Sequence, residues 1–413
     1  MYICKKNLLR MISFLFLIGL NSKVFATCNI SSANEVLDLI KKNHPGINLN
    51  NSSKKAIMNT IDVAKQRPNP EFDADYMKGD SIDGDVTTTS LSIKHTFELG
   101  GKRDSRVDVA KKYIEVSNNK LKGSNEDIII DSVVKAYRLR QIYELLPVYD
   151  EAFGALSKIL KTKKSRKSLS PEEQVESETL VLATNDYLLK IARLNAEKTH
   201  LSRHLSFFLG KSCAIPMKAL PRDVNLSQKF LGDSGYNRYS KLLAARNEVE
   251  LASAKVALSN SKSLPDLKVG PAFENENING RNFQSFGLVL SMDLPIFNTN
   301  KGGRAISNSE LLTANMNLRN IEREASLDLQ SWIDKYKAFS SSLKIITNRA
   351  DLDRKHNRIE KLFKRGIIST AMVIESHRQL IEFANTRFEF ELGAVEALWN
   401  IYKLNGTVLE KKL

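Results

Sequence analysis

The sequence predicts a mainly helical chain with a four-strand β contribution, built as two similar halves. Three observations carry that prediction. Stretches near residues 70–99 and 265–295 alternate apolar and polar residues with the period of two that a strand requires. Much of the remainder repeats apolar residues every seven positions, the pattern of long helices packed as antiparallel hairpins. The two halves also match each other. GGKR at Gly100–Arg103 returns as KGGR at Lys301–Arg304, and LSRHLSFFLGKS, ending at Ser212, answers EALWNIYKLNGT, ending at Thr407. A spacing of roughly 200 residues is far longer than the 20–50 of a solenoid unit, so it predicts a duplicated half.

The 413 residues are 42% hydrophobic and 26% charged, with a formal net charge of +15. Residues 1–26 have the form of a signal peptide. Lys5, Lys6 and Arg10 give a basic start, Met11–Leu20 an apolar core, and Val24-Phe25-Ala26 a cleavage signal. Export excludes a nucleic-acid partner and leaves a solvated basic surface as the reading of the charge. Cys28 lies close enough to the cleavage signal to raise lipidation as an alternative, although Phe25-Ala26-Thr27 fits a lipidation box poorly. Cys28 and Cys213 remain after cleavage. A disulfide and two free thiols both fit this pair. No other run of about 18 apolar residues follows, so any membrane span must be β.

The first half, residues 27–212, opens with short helices at Ser31–His44 and Ser52–Arg67, for which Ser31-Ser32 and Asn51-Ser52 are cap candidates. Pro68-Asn69-Pro70 ends the second helix and opens a hairpin at about 70–99. There Leu91, Ile93, Phe97 and Leu99 oppose Ser92, Lys94, Thr96 and Glu98, with His95 the polar exception on the apolar face. After Gly100 and Gly101 a long helix repeats Val107, Ile114, Leu121, Ile128 and Ile142. Pro147 should kink or break it. Lys102 to Leu160 as one helix is about 90 Å long, too long for a compact domain, so it must project from a membrane or cross an aqueous space. The basic stretch Lys161–Pro171 predicts the far turn, and Ser170-Pro171 restarts a helix. Leu180, Tyr187, Leu194, Leu201 and Phe208 form one stripe on it. Val175, Leu182, Leu189 and Ala196 form a second, so the helix should pack on two neighbours.

The second half, residues 213–413, begins with an irregular linker and a helix at Tyr236–Ser263. A hairpin follows at about 265–295, with Asn279-Gly280 as its turn and Phe286, Leu288, Leu290, Met292 and Leu294 on one face. Gly302 and Gly303 then lead into a second long hairpin, about 302–405. Leu311, Leu318, Ala325, Trp332, Phe339 and Ile346 mark its descent and Gly366 its far turn. Ile374, Ile381, Phe388, Val395 and Tyr402 mark its return. Four strands are too few to close a sheet, so they must close by oligomerising or form a soluble sheet.

Pro265 through LSMDLPIF (Leu290–Phe297) into Gly302-Gly303-Arg304, the duplicate FELGGKR (Phe97–Arg103), and LFKRGIISTAMVIESHRQL (Leu362–Leu380) together resemble the TolC family of outer-membrane efflux proteins, over nearly all of the mature chain. FELGGKR is similar to the branch serving heavy-metal and cation exporters. The resemblance implies a homotrimer in the Gram-negative outer membrane. Each protomer gives four strands to a shared transmembrane barrel of 12, and its helical hairpins to a periplasmic α-barrel. Leu91, Ile93, Phe97, Leu288, Leu290 and Met292 would meet lipid, and Ser92, Lys94, Ser285 and Ser291 the lumen. The far turns would meet a periplasmic adaptor serving an inner-membrane transporter, with Ser168, Gly366 and Ser369 as contact candidates. Glu375 matches a family gate position, Met372 occupies the other, and Glu173 and Glu176 are further gate candidates. Gly100, Gly101, Gly302 and Gly303 would make the tight strand-to-helix passages.

No catalytic set is legible and no cofactor is implied. His200 and His204 are spaced to share a metal but lack a third ligand, and His356 and His377, which flank the second turn, are too far apart in sequence to argue from. The function expected is a passive exit duct for a tripartite efflux or secretion system. The alternative is a soluble periplasmic coiled-coil adaptor or structural protein.

Overall fold

The computed structural model describes residues 30–82, 84–209, 215–224, 235–346 and 349–413. The leader, Cys28, Cys213, most of the linker and the side chain of His356 lie outside the described residues.

Helix α1 (Ala33–Asn43) starts where the Ser32 hydroxyl accepts the Glu35 amide. Helix α2 (Pro45–Met58) starts earlier than the sequence suggests. The His44 ring accepts the Gly46 amide and Pro45 takes the first helical position, so Asn51-Ser52 lies inside the helix and caps nothing. A step at Asn59 leads to α3 (Thr60–Lys65). Strands β1 (Glu71–Ser81) and β2 (Gly84–Phe97) follow, then α4 (Lys102–Lys164). At 63 residues α4 is about 94 Å long. It is unbroken at Pro147, contrary to one of the two expectations there; buried Leu145, Leu146 and Tyr149 hold it on either side. Helix α5 (Pro171–Phe208) begins with a reciprocal cap, Ser170 and Glu173 each taking the other's amide.

The second half continues with α6 (Ser240–Ser261), preceded by a separate 3-10 turn, Tyr236–Arg238, where one helix over Tyr236–Ser263 is expected. Strands β3 (Leu267–Ile278) and β4 (Arg281–Met292) are joined by Asn279 and Gly280, both at positive φ as the Asn-Gly turn requires. Helix α7 (Lys301–Ile345) descends for 45 residues. The heptad counted through Ile346, but there the backbone turns extended, with ψ 154°. The hydroxyls of Ser340, Ser341 and Ser342 bond back to carbonyls of their own helix, which weakens its end. Helix α8 (Arg349–Lys364) carries on to the far turn, and α9 (Thr370–Leu404) returns.

The four strands form one antiparallel sheet in the order β1-β2-β3-β4, so the two hairpins pair through β2 and β3. Below the sheet α4 packs on α6 and α5, and α7 on α6 and α9. On α5 the stripe Leu180, Tyr187, Leu194, Leu201 and Phe208 is wholly buried. Its second stripe finds no neighbour among the described residues: Leu182 is 70% and Leu189 71% exposed, and Val175 and Ala196 are exposed too. Among the described residues no helix is long and apolar enough to cross a membrane.

Candidate functional site

Two regions carry the features that bear on function: the sheet, and the paired helix tips at the opposite end. In the sheet, directly opposed residues share a face. Ala74, Leu91, Phe273 and Phe286 form one row; Phe72 lies opposite Ile93, Pro271 opposite Leu288, and Val269 opposite Leu290. Phe273 and Phe286 touch with ring centroids 4.9 Å apart. Phe72, Ile93, Phe97, Phe286, Leu288, Leu290 and Met292 on this face are exposed, an apolar surface that a soluble sheet would cover. The other face is polar. Lys94 pairs with Asp73 at 2.8 Å, Lys268 with Glu71 at 2.6 Å, and the Ser90 hydroxyl donates to Glu274. Ser92, Lys94, Ser285 and Ser291 lie on that face, and Leu91, Ile93, Phe97, Leu288, Leu290 and Met292 on the apolar one. Strands β1 and β4 each have an edge with no partner among the described residues.

The passages from sheet to helix differ from expectation in one half. Gly100 and Gly101 both sit at positive φ, 72° and 67°, with Gly101 at the helix cap. Gly302 and Gly303 do not. Asn300 takes the left-handed position at φ 57°, and the two glycines lie in the first turn of α7. Gly303 is small for another reason: a Cβ there would come within 2.3 Å of the Asn300 side chain.

At the far end the turns between α4 and α5 and between α8 and α9 lie side by side. Phe363, Ile368 and Ile374 pack on the cluster that includes Leu156, Leu180, Val373 and Ile381. Gly366, at φ 71°, ends α8: its amide bonds to Phe363 and the Ile367 amide to Leu362, which satisfies two carbonyls of the last turn. Ser369 caps α9 by accepting the Met372 amide. Ser168, Gly366 and Ser369 are all exposed.

The three gate candidates are not free carboxylates. Glu375 takes two bonds of 2.8 Å from Arg378 and one of 2.7 Å from Gln379. Those hydrogen bonds hold its carboxyl far below the ordinary range, at about 2. Glu173 pairs with Arg166 while closing the α5 cap; the Ser170 amide and that arginine lower its pKa. Glu176 is bonded by Lys163.

Sequence reasoning missed a buried ion network at the middle of the molecule. Arg140 on α4 bonds Glu391 on α9 and Asp223 in the linker. Gln141 donates to Glu391 at 3.0 Å, and the Val224 amide donates to it at 3.2 Å. The network ties the linker to both hairpins. It has no isolated sequence signal: Arg140 stands beside Arg138 and Gln141, and Glu391 beside Glu389. His200 and His204 have ring centroids 5.6 Å apart. Among the described residues no group of three or more His, Cys, Asp or Glu is arranged to hold a metal.

No family profile matches the chain. It is 25% identical over 253 residues to the cobalt-zinc-cadmium resistance protein CzcC of Cupriavidus metallidurans. That match covers 58% of this chain and 57% of the relative, little more than half the length of each. Among solved structures, the CmeC outer membrane channel of Campylobacter jejuni superposes with a TM-score of 0.68 at 13% identity, covering 91% of this chain and 85% of that one. The open state of the MtrE outer membrane channel of Neisseria gonorrhoeae gives 0.66 at 12% identity over 92% and 90%. A membrane protein from Pseudomonas aeruginosa gives 0.70 at 12% over 91% of each chain. The chain has the fold of the TolC-family outer-membrane channels.

Proposed function

We propose that the chain is one protomer of a homotrimeric outer-membrane duct that gives substrates of a tripartite efflux system a passive exit. The observation that carries this reading is the sheet: four antiparallel strands, one face apolar and exposed, both edges open among the described residues. Such a sheet is stable in lipid only when its edges close, and three copies supply the 12 strands of a shared barrel. The apolar face then meets outer-membrane lipid and the face of Lys94, Asp73 and Ser285 lines the lumen. Helices α4, α5, α7, α8 and α9 form the periplasmic tunnel, whose tips meet a periplasmic adaptor and, through it, an inner-membrane transporter that supplies the energy. Ser168, Gly366 and Ser369 are the adaptor contacts. A signal peptide of residues 1–26 directs export, and halves 27–212 and 213–413 descend from one duplicated unit.

The similarity to CzcC favours divalent metal cations as the transported class. The gate reading changes with the pairing of Glu375, Glu173 and Glu176: their carboxylates form local ion pairs, so a gate here works by breaking those pairs. The test is reconstitution of the purified protein in planar lipid bilayers. Stepwise, energy-independent ion conductance is the expected result; intact folded protein that adds no conductance would overturn the duct.

A further inference from the structure

With the tip carboxylates paired, the charge left at that end is basic. Lys158, Lys161, Lys164, Lys167, Lys361 and Arg365 are exposed and have no ion-pair partner among the described residues. Against them stand Glu172 and Glu178, exposed on the first turns of α5. The cations come from both hairpins, whose tips share one apolar cluster: Phe363 and Ile368 pack against the cluster that contains Leu156 and Leu180. Exposed Ile367 and Met372 lie among them. Helix α4 sets this surface about 94 Å from the strand-to-helix passage, so these cations cannot meet the headgroups around the sheet.

We propose that the joined tips form a basic collar that docks a helical-hairpin partner whose own tip is acidic. The proposal rests on the adaptor-docking reading above and names the chemistry of that adaptor. Exposed apolar side chains beside unpaired cations fit a protein tip: the apolar side chains bury against it, and complementary charge steers the encounter and fixes which partner is accepted. A bare anionic membrane would use the cations and leave Ile367 and Met372 unsatisfied. A trimer repeats the cations three times around the mouth. Like-charged tips are repelled by the same field, so the collar also rejects wrong partners. Because the cations are exposed, the attraction acts over about 8 Å at physiological salt and weakens as salt rises.

The test uses the full chain in mild detergent and two designed antiparallel helical hairpins, identical except that one carries four Glu in its turn and the other four Gln. The Glu hairpin should bind at least ten-fold more tightly than the Gln hairpin, and most of that preference should vanish between low and high salt. Charge reversal by Lys161→Glu, Lys164→Glu, Lys167→Glu and Lys361→Glu together should abolish it. The reversed channel should instead prefer a hairpin with four Lys in its turn, which shows that the variant is folded. Equal binding of the Glu and Gln hairpins, or of neither, overturns the proposal. So does binding of anionic phosphatidylglycerol vesicles in preference to the Glu hairpin. Bilayer conductance of the same preparation separates the two levels: conductance without charge preference removes the acidic partner alone, whereas lost conductance removes the duct.

Discussion

Replacing Leu182 and Leu189 by glutamate should separate assembly from folding. Both lie on the second stripe of α5, 70% and 71% exposed, while Leu180 two residues away is fully buried. Full burial of a leucine stabilises by about 1.5–3 kcal/mol, so the surface these two still expose is worth about 1–2 kcal/mol each against a neighbouring protomer. Two such residues at each of three interfaces give about 6–12 kcal/mol per trimer, and an unpaired glutamate forced into that contact adds a desolvation cost. The folded protomer loses nothing, because neither side chain touches its own core. Leu180→Ala is the opposite control: it opens a cavity inside the hairpin and should cost about 3–5 kcal/mol of protomer stability. Detergent-corrected light scattering reads assembly, and circular dichroism melting reads folding. The double glutamate variant should be helical with an unchanged protomer melt but a collapsed trimer population. Trimers that persist, or a variant that unfolds, would refute the assignment of this stripe to the contact between protomers.

The other predictions concern the sheet and two buried groups. Leu288→Arg, on the apolar face, should cost about 2–4 kcal/mol if it lies near the bilayer midplane, read as lost membrane insertion. Ser285→Arg, on the polar face, should insert normally and shift ion selectivity toward anions in the bilayer assay. Arg140→Met strands the buried Glu391 without its charge partner and should destabilise by about 3–5 kcal/mol, and adding Glu391→Leu should recover much of that loss. Glu126 is fully buried and held by the Ser240 hydroxyl, and burial pushes its carboxyl above the ordinary range. Unfolded, it releases its proton near the ordinary value while the folded form still holds it. Stability is therefore fullest below that value and falls as pH rises through the raised one. Glu126→Gln keeps an acceptor for Ser240 and should flatten this decline, measured as melting temperature against pH.

The parts of this fold that were legible from sequence were those set by local periodicity. Alternation marked β2 and β4 and assigned their faces correctly, and Asn279-Gly280 located the turn. The α5 stripe from Leu180 to Phe208 was read residue by residue. Features decided by competition between local bonds were harder. His44 captured the start of α2, and the serines at 340–342 ended α7 before the heptad did. Pairing is what periodicity leaves out at the tips: Arg378 stands three residues from Glu375, within helical reach, and its bonds to that carboxylate come from the structure. The Arg140–Glu391 network spans 251 positions in sequence and needs the tertiary fold to be seen. The second α5 stripe is visible as a pattern, but no neighbour covers it among the described residues.

The shared barrel is tested most directly by cross-linking its seam. Cysteines placed singly at Phe72, Ala74 or Tyr76 on β1 and at Phe286, Leu288 or Leu290 on β4, in a background lacking Cys28 and Cys213, sample the possible registers between the two open edges. Oxidation in isolated outer membranes should give, for at least one pairing, a covalent ladder that stops at three chains. Chains that stay monomeric at every pairing, or a ladder that runs past three, would contradict a barrel closed by three copies.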